Sequence, residues 1–132
     1  MSHVCLQVTP LCLNTAAPKI EASEYLCDLI AITVAAAFGV PLAELRATTR
    51  RPQPVAFARQ SAMYLAHVVL GLTLTDVGRA FGRDRTTAAH ACEQVENRRD
   101  DPALDAALQV LEHACGLLER SVHAQRHNEV QP

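Results

Sequence analysis

Two short segments with helical spacing of apolar residues lie on either side of a tight turn, and this pattern limits the fold more than any other feature. The segment Leu74–Cys92 reads LTDVGRAFGRDRTTAAHAC, with Gly82 at the turn. Thr73 and Asp76 have the spacing of a capping box, and Asp84 is a suitable N-cap. The sequence therefore predicts a helix over Leu74–Phe81, a turn, and a second helix that begins after Asp84 and runs to about Asn97.

The rest of the chain predicts further helices and no strands. Of the 132 residues, 49% are apolar and only 4% are aromatic, which is typical of closely packed helices. Periodicity and stop signals predict the helices Ile20–Phe38, Pro41–Arg46, Val55–Leu70 and Pro102–Val122. We expect an all-α domain of five to six helices over residues 19–122, a flexible arm over residues 1–18 and a disordered tail over residues 123–132.

Charge is unevenly distributed along the chain, although the net charge is only −2. The segment Arg46–Cys92 carries seven arginines and two acidic residues, a net charge of +5, and the remainder has a net charge of −7. A basic centre with acidic ends is typical of a small DNA-binding domain, and the alternative is a solvated surface without a partner.

Two basic clusters carry this charge. The first lies at the start of the second short helix, where Arg83–Thr87 crowd the turn, as in a helix-turn-helix that reads the major groove. The second is the loop TTRRPQP, with Arg50 and Arg51, followed by Arg59 and Gln60 on the next helix; arginines on such a loop can enter a minor groove. The alternatives are an ordinary helix start capped by Asp84 and a solvated loop.

Other chemistry is poorly supported. The five cysteines are not paired in CxxC motifs and indicate reduced thiols in a cytoplasmic protein, with Cys92 and Cys115 on apolar stripes. His123 and His127 have helical spacing suited to a metal, but a solvated tail explains them better. We therefore expect no enzymatic activity, no metal, no cofactor and no bound nucleotide. No signal peptide and no membrane-spanning segment is expected either.

The motif AFGRDRTTAAHAC, residues 80–92, resembles the signature AFGGRDHTTVxHAC of the C-terminal DNA-binding domain of the bacterial replication initiator DnaA. The segment RQSAMYLAHVVLGLTLTDVGRAFG, residues 59–82, is similar to the family's preceding helix and first motif helix. The similarity covers roughly Glu24–Arg120. It implies a compact DnaA-type, Trp-repressor-like helical domain that binds double-stranded DNA.

The resemblance also implies roles for single residues. Arg51, beside Arg50, would enter the minor groove. The bases would be read by Asp84, Arg85 and Thr86. His90 would serve packing or backbone support. The remaining implied contacts are to the DNA backbone or flank the base-reading positions: Arg59, Gln60, Leu74, Thr75, Arg83 and Thr87.

This chain departs from the family at the recognition turn. One glycine of the Gly-Gly pair is missing before Arg83, Arg85 replaces the family's histidine, and Thr75 stands where proline is common. Since one bidentate base contact is worth about 1–3 kcal/mol of discrimination, we expect DNA binding with an altered sequence preference.

No GxxxxGK[ST] phosphate loop is present, so we expect a stand-alone version of the DNA-reading domain. A transcriptional regulator at the nucleoid is the favoured role. The alternatives are a modulator of replication initiation and a protein-interaction module that has lost DNA binding. The N-terminal arm and the last helix are the expected contacts for a homodimer or another protein partner.

Overall fold

The computed structural model describes residues 19–47 and 52–130, and in this part of the chain every regular element is a helix. The described residues form the helices α1 (Lys19–Phe38), α2 (Leu42–Leu45), α3 (Gln53–Leu70), α4 (Leu74–Ala80), α5 (Arg85–Arg98) and α6 (Pro102–Val130). The predicted all-α class and helix number are confirmed. The predicted arm over residues 1–18 lies outside the described residues.

Helix α3 lies at the centre of the domain and packs against each of the other five helices. Its buried face is made largely of small side chains, since Ala58, Ala62 and Ala66 are fully buried together with Leu65. Small residues let neighbouring backbones approach closely, which keeps interior packing dense without aromatic side chains. The core therefore follows from the alanine-rich, aromatic-poor composition.

Helix ends follow local sequence signals. Gly39 and Gly71 adopt left-handed φ angles of 69° and 71° after α1 and α3, which only glycine adopts readily. Helix α3 begins at Gln53, two residues before the predicted Val55. Proline is compatible with a first turn because the amide hydrogen that it lacks has no helical partner there, and Pro54 therefore belongs to the helix.

The last helix is longer than predicted. Helix α6 continues to Val130, so the prediction that the chain leaves the helix at Val122 and becomes a disordered tail from His123 differs from the structure. Residues 123–130, HAQRHNEV, contain neither glycine nor proline, and alanine, glutamine, arginine and glutamate favour helix. The tail prediction depended on the polarity of these residues. Polar residues indicate that a segment is exposed to solvent, but they do not end a helix.

The thiols of Cys27 and Cys115 are buried, as expected for Cys115, and Cys92 packs partly against the core. Burial raises the pKa of Cys27 to about 12 and that of Cys115 to about 11, and it also raises the pKa of Cys92. None of the helices in the described residues is long and apolar enough to cross a membrane.

These thiols predict a loss of stability in alkali. In the folded protein the pKa values of both thiols lie above the ordinary 9.0, so below pH 9 the buried thiols make their full contribution to the free energy of unfolding. Above about pH 9 the unfolded chain releases protons that the folded protein retains, and the free energy of unfolding falls. Urea denaturation from about pH 8 to about pH 11 measures the effect, and a Cys27→Ala/Cys115→Ala variant should show a smaller fall. An identical fall in both proteins would contradict the assignment.

Candidate nucleic-acid interface

The turn between α4 and α5 is held by an unusually close backbone approach. The N–H of Arg83 donates to the carbonyl of Gly78 at 2.7 Å, and Gly82 adopts a φ angle of 68°. A Cβ atom at Gly78 would lie 2.7 Å from the carbonyl oxygen of Arg83 and 2.8 Å from that of Asp84. Only glycine at position 78 permits this approach, which sets the position of α5 against α4.

The start of α5 faces solvent. Asp84 is its N-cap, with Oδ1 accepting a hydrogen bond from the N–H of Thr87 at 2.8 Å, as predicted from the sequence. The side chains of Asp84, Arg85, Thr86 and Thr87 are all exposed. Hydrogen bonds from Thr87 hold the pKa of the Asp84 carboxyl below its usual range. The three residues that the resemblance assigns to base reading therefore lie on one accessible turn.

Asp84 has two candidate roles, capping and base contact, which two substitutions separate. Asp84→Asn keeps an N-cap acceptor, so we expect wild-type helicity and Tm at neutral pH, whereas Asp84→Ala should lower both. Because its folded pKa is depressed, the aspartate contributes stability above its unfolded pKa and loses that contribution in acid, whereas asparagine does not titrate. Circular dichroism melts at neutral and acid pH measure this. Equal Tm values for the Ala variant and the wild type would contradict the capping role.

Helix α4 presents Leu74 and Thr75 differently. Thr73 caps α4 by accepting from the N–H of Asp76 at 3.1 Å, which confirms the predicted cap. Thr75 is exposed, and Leu74 is partly buried against the core. Of these two residues, only Thr75 has a freely accessible side chain at the helix start.

Arg59 and Arg83 both point at the segment that follows α2. The Arg59 guanidinium donates to the carbonyls of Leu45 at 3.0 Å and Ala47 at 3.1 Å, and more weakly to Glu44. Arg83 Nη2 donates to the same Ala47 carbonyl at 2.7 Å. Gln60 follows Arg59 and is half-buried. Both arginines thus bind backbone carbonyls of their own domain.

Arg50 and Arg51 lie outside the described residues. Ala47, the last described residue before them, is bonded to Arg83 at the recognition turn. Ala47 therefore lies beside the turn that begins α5. That Arg50 and Arg51 share a surface with this turn stays a prediction from the sequence.

The C-terminal end of α5 is fixed by two arginines that the sequence interpretation overlooked. The Arg98 guanidinium lies 3.9 Å from the centroid of the Phe57 ring on α3. Arg99 donates to Asp105 at 2.5 Å, to Glu112 at 2.6 Å and to the Tyr64 hydroxyl at 3.0 Å. Two adjacent arginines at a predicted helix end, followed by acidic residues, were the available signal for this anchor.

Burial opposes the charge of Arg99, but its hydrogen bonds to Glu112, Asp105 and Tyr64 outweigh that effect and raise the pKa of the guanidinium. Burial raises the pKa of Tyr64, whose hydroxyl donates to Glu96 at 3.2 Å. This cluster joins α5 to both α3 and α6, so the recognition helix is held at each end.

Two histidines for which the sequence suggests a role lie at the surface. His90 on α5 is exposed, so it does not pack in the core, and its other predicted role, backbone support, stays a prediction. His123 lies 3.8 Å from Glu119, and the described part of the chain contains no group of three His, Cys, Asp or Glu side chains that could hold a metal.

Comparison with known proteins identifies the family. The family model described as bacterial dnaA protein helix-turn-helix matches residues 27–95, which span α1 to α5. The chain belongs to this DnaA helix-turn-helix family. Membership implies DNA binding.

Three curated relatives are replication initiators. The chromosomal replication initiator protein DnaA of Caldanaerobacter subterraneus subsp. tengcongensis is 31% identical over 83% of this chain and 25% of its own length. That of Protochlamydia amoebophila is 33% identical over 70% of this chain and 19% of its own. That of Lachnoclostridium phytofermentans is 36% identical over 64% of this chain and 19% of its own length. The chain thus spans a quarter or less of the relatives' lengths.

Proposed function

We propose that this protein binds double-stranded DNA at specific sequences and acts as a transcriptional regulator. In this proposal the first turn of α5 enters the major groove and Arg51, beside Arg50, enters the adjacent minor groove. The observation that carries the proposal is the exposed turn Asp84–Thr87 beside Ala47, a residue that Arg50 and Arg51 closely follow in the sequence. The protein would act in the cytoplasm, at the nucleoid.

The base-reading residues are Asp84, Arg85 and Thr86, with Thr87 beside them. Arginine offers a planar pair of donors that matches the acceptors of guanine, and threonine can contact bases or phosphates. Thr75, Leu74 and Gln60 would lie near the phosphates on either side of the groove. Because Arg85 stands where the family has histidine, the preferred site would differ from that of the initiators.

Selection from a pool of randomised duplexes tests the proposal. We expect one enriched motif, and binding of that duplex should weaken steeply between about 50 and 200 mM salt, because bound phosphates release counterions. No enrichment, together with no shift of any duplex at low salt, would sink the proposal. Mapping bound sites across the genome then separates promoters from replication-origin boxes.

Arg85→Ala should change base preference more than general affinity. Loss of a bidentate guanine contact is expected to reduce discrimination at one position by about tenfold or more. Arg120→Ala, on the exposed surface of α6, makes the same charge change outside the interface and should leave the motif intact. An equal loss of affinity on all sequences would make Arg85 a phosphate contact.

Arg51→Ala should weaken binding chiefly where the site is flanked by A·T pairs, whose narrow minor groove concentrates negative potential. Comparing Kd on duplexes with A·T and G·C flanks measures this difference. Unchanged affinity on the A·T-flanked duplex would count against the minor-groove contact.

Two alternatives follow from particular observations. Membership in a family of replication initiators favours a modulator that competes for initiator boxes or assists at them. Two helices each expose a pair of apolar side chains seven residues apart: Tyr25 and Ile32 on α1, and Val110 and Leu117 on α6. These pairs favour a protein partner or a homodimer at these helices. A protein that binds such a partner but no duplex would be the interaction module.

A further inference from the structure

One backbone carbonyl accepts hydrogen bonds from guanidinium groups that come from two distant parts of the chain. Arg59, on α3, and Arg83, in the turn before α5, both donate to the Ala47 oxygen, at 3.1 and 2.7 Å. They are separated from Ala47 by 12 and 36 residues. Carbonyls that follow the end of a helix have no helical partner, so these bonds satisfy groups that otherwise need water.

Arg83 is held through both its backbone and its side chain. Its N–H donates to Gly78 on α4 at 2.7 Å, and its half-buried side chain extends to Ala47. Arg85, two residues later, is exposed. The two arginines of the turn therefore differ: Arg85 is directed to solvent, and the orientation of Arg83 is set by a carbonyl of the domain itself.

The position of Ala47 matters because it precedes Arg50 and Arg51 by three and four residues. Four residues span at most about 14 Å when fully extended. Fixing Ala47 at the recognition turn thus limits how far from the first turn of α5 the two arginines can lie. This bond links α2 to the turn in addition to the packing of α2, α4 and α5 against α3.

We infer that Arg83, together with Arg59, is a positioning residue that joins the recognition turn to the end of α2. Arg83 contributes to DNA affinity through this join and not through a phosphate contact. The inference rests on the proposed function for its DNA part, whereas the join itself is a property of the DNA-free protein.

The join is tested first without DNA. Arg83→Ala removes a charge-assisted hydrogen bond, so we expect Tm to fall by about 5 °C. Arg85→Ala removes the same charge two residues away and should leave Tm within about 1 °C of the wild type, because surface substitutions are usually near neutral. An unchanged Tm for Arg83→Ala would overturn the inference.

The DNA part is tested by the salt dependence of Kd on a fluorescein-labelled duplex that carries the selected motif. Arg83→Ala should weaken binding about tenfold, because the turn is then no longer held in place before it meets the duplex, while the slope of log K against log salt stays as in the wild type. Loss of a phosphate contact would instead reduce that slope by about 1. A reduced slope with an unchanged Tm would make Arg83 a phosphate contact and overturn the inference.

Should Arg83→Ala not fold, Arg83→Lys takes its place. Lysine keeps the charge but not the planar fork of donors, so the positioning role predicts a lower Tm and weaker binding with a wild-type salt slope. Wild-type Tm and Kd for Arg83→Lys would overturn the inference. Failure of the proposed function looks different: the wild type itself then shifts no duplex, while the loss of Tm in Arg83→Ala persists.

Discussion

Gly78→Ala is expected to break the packing of α4 against the recognition turn and to reduce DNA binding by at least tenfold. The added Cβ would lie 2.7–2.9 Å from backbone atoms of Arg83 and Asp84, closer than real Cβ atoms approach. Backbone cannot rotate away as a flexible side chain can, so the turn must shift. Overpacking of this kind costs about 1–3 kcal/mol, which exceeds the gain of about 1 kcal/mol from replacing a helical glycine by alanine.

Gly116→Ala is the matched control. Gly116 is also within a helix, and its added Cβ would meet only the Arg120 guanidinium at 3.5 Å, an ordinary contact. This variant should therefore gain about 0.5–1 kcal/mol in the free energy of unfolding and bind DNA as the wild type does. Urea denaturation and a mobility shift measure both properties. If Gly78→Ala were also stabilised, the close approach would not limit the turn.

Sequence reasoning located the parts of this domain that depend on local chemistry. Apolar periodicity and turn signals gave the helices, and the caps at Thr73 and Asp84 form the hydrogen bonds that their spacing predicts. An N-cap depends on residues within three positions, so the chain itself contains the required information. The exposure of Arg85 and Thr86 follows from the same local geometry.

The contacts that fix the interface are not local, and sequence reasoning missed them. The sequence predicts DNA contacts for Arg59 and Arg83, and it does not show that both guanidinium groups bind the carbonyl of Ala47 in the free protein. A guanidinium group can donate to a phosphate or to a backbone carbonyl, and which acceptor it meets depends on the packing of α2 and α3 against the turn. Gly78 is a similar case, since the need for glycine arises from a backbone five residues away.

The Arg99 cluster depends on still longer separations. Tyr64 lies 35 residues before Arg99 and Glu112 lies 13 residues after it, on two different helices. Their meeting follows from the way α5 and α6 pack against α3, which periodicity alone does not specify. The cluster nevertheless holds the end of the recognition helix that lies farthest from the proposed DNA contacts.

Arg99→Ala is expected to give the second large effect, a loss of about 2 kcal/mol in the free energy of unfolding. The side chain of Arg99 is 16% exposed, and its removal leaves the carboxylates of Asp105 and Glu112 near each other without their shared cation. These carboxylates are about one-third exposed, so water compensates in part and the loss should stay below that of a fully buried pair.

Arg79→Ala serves as the control, because its ion pair with Asp76 on α4 is exposed at 66% and 48%. Such a pair contributes at most about 0.5 kcal/mol. Adding Glu112→Gln to Arg99→Ala should restore part of the lost stability, since it removes one of the two unpaired charges.

Urea denaturation measures the free energy of unfolding of these variants and of the wild type. Equal losses for Arg99→Ala and Arg79→Ala would show that the cluster does not anchor α5, which would then depend on its packing against α3 and α4.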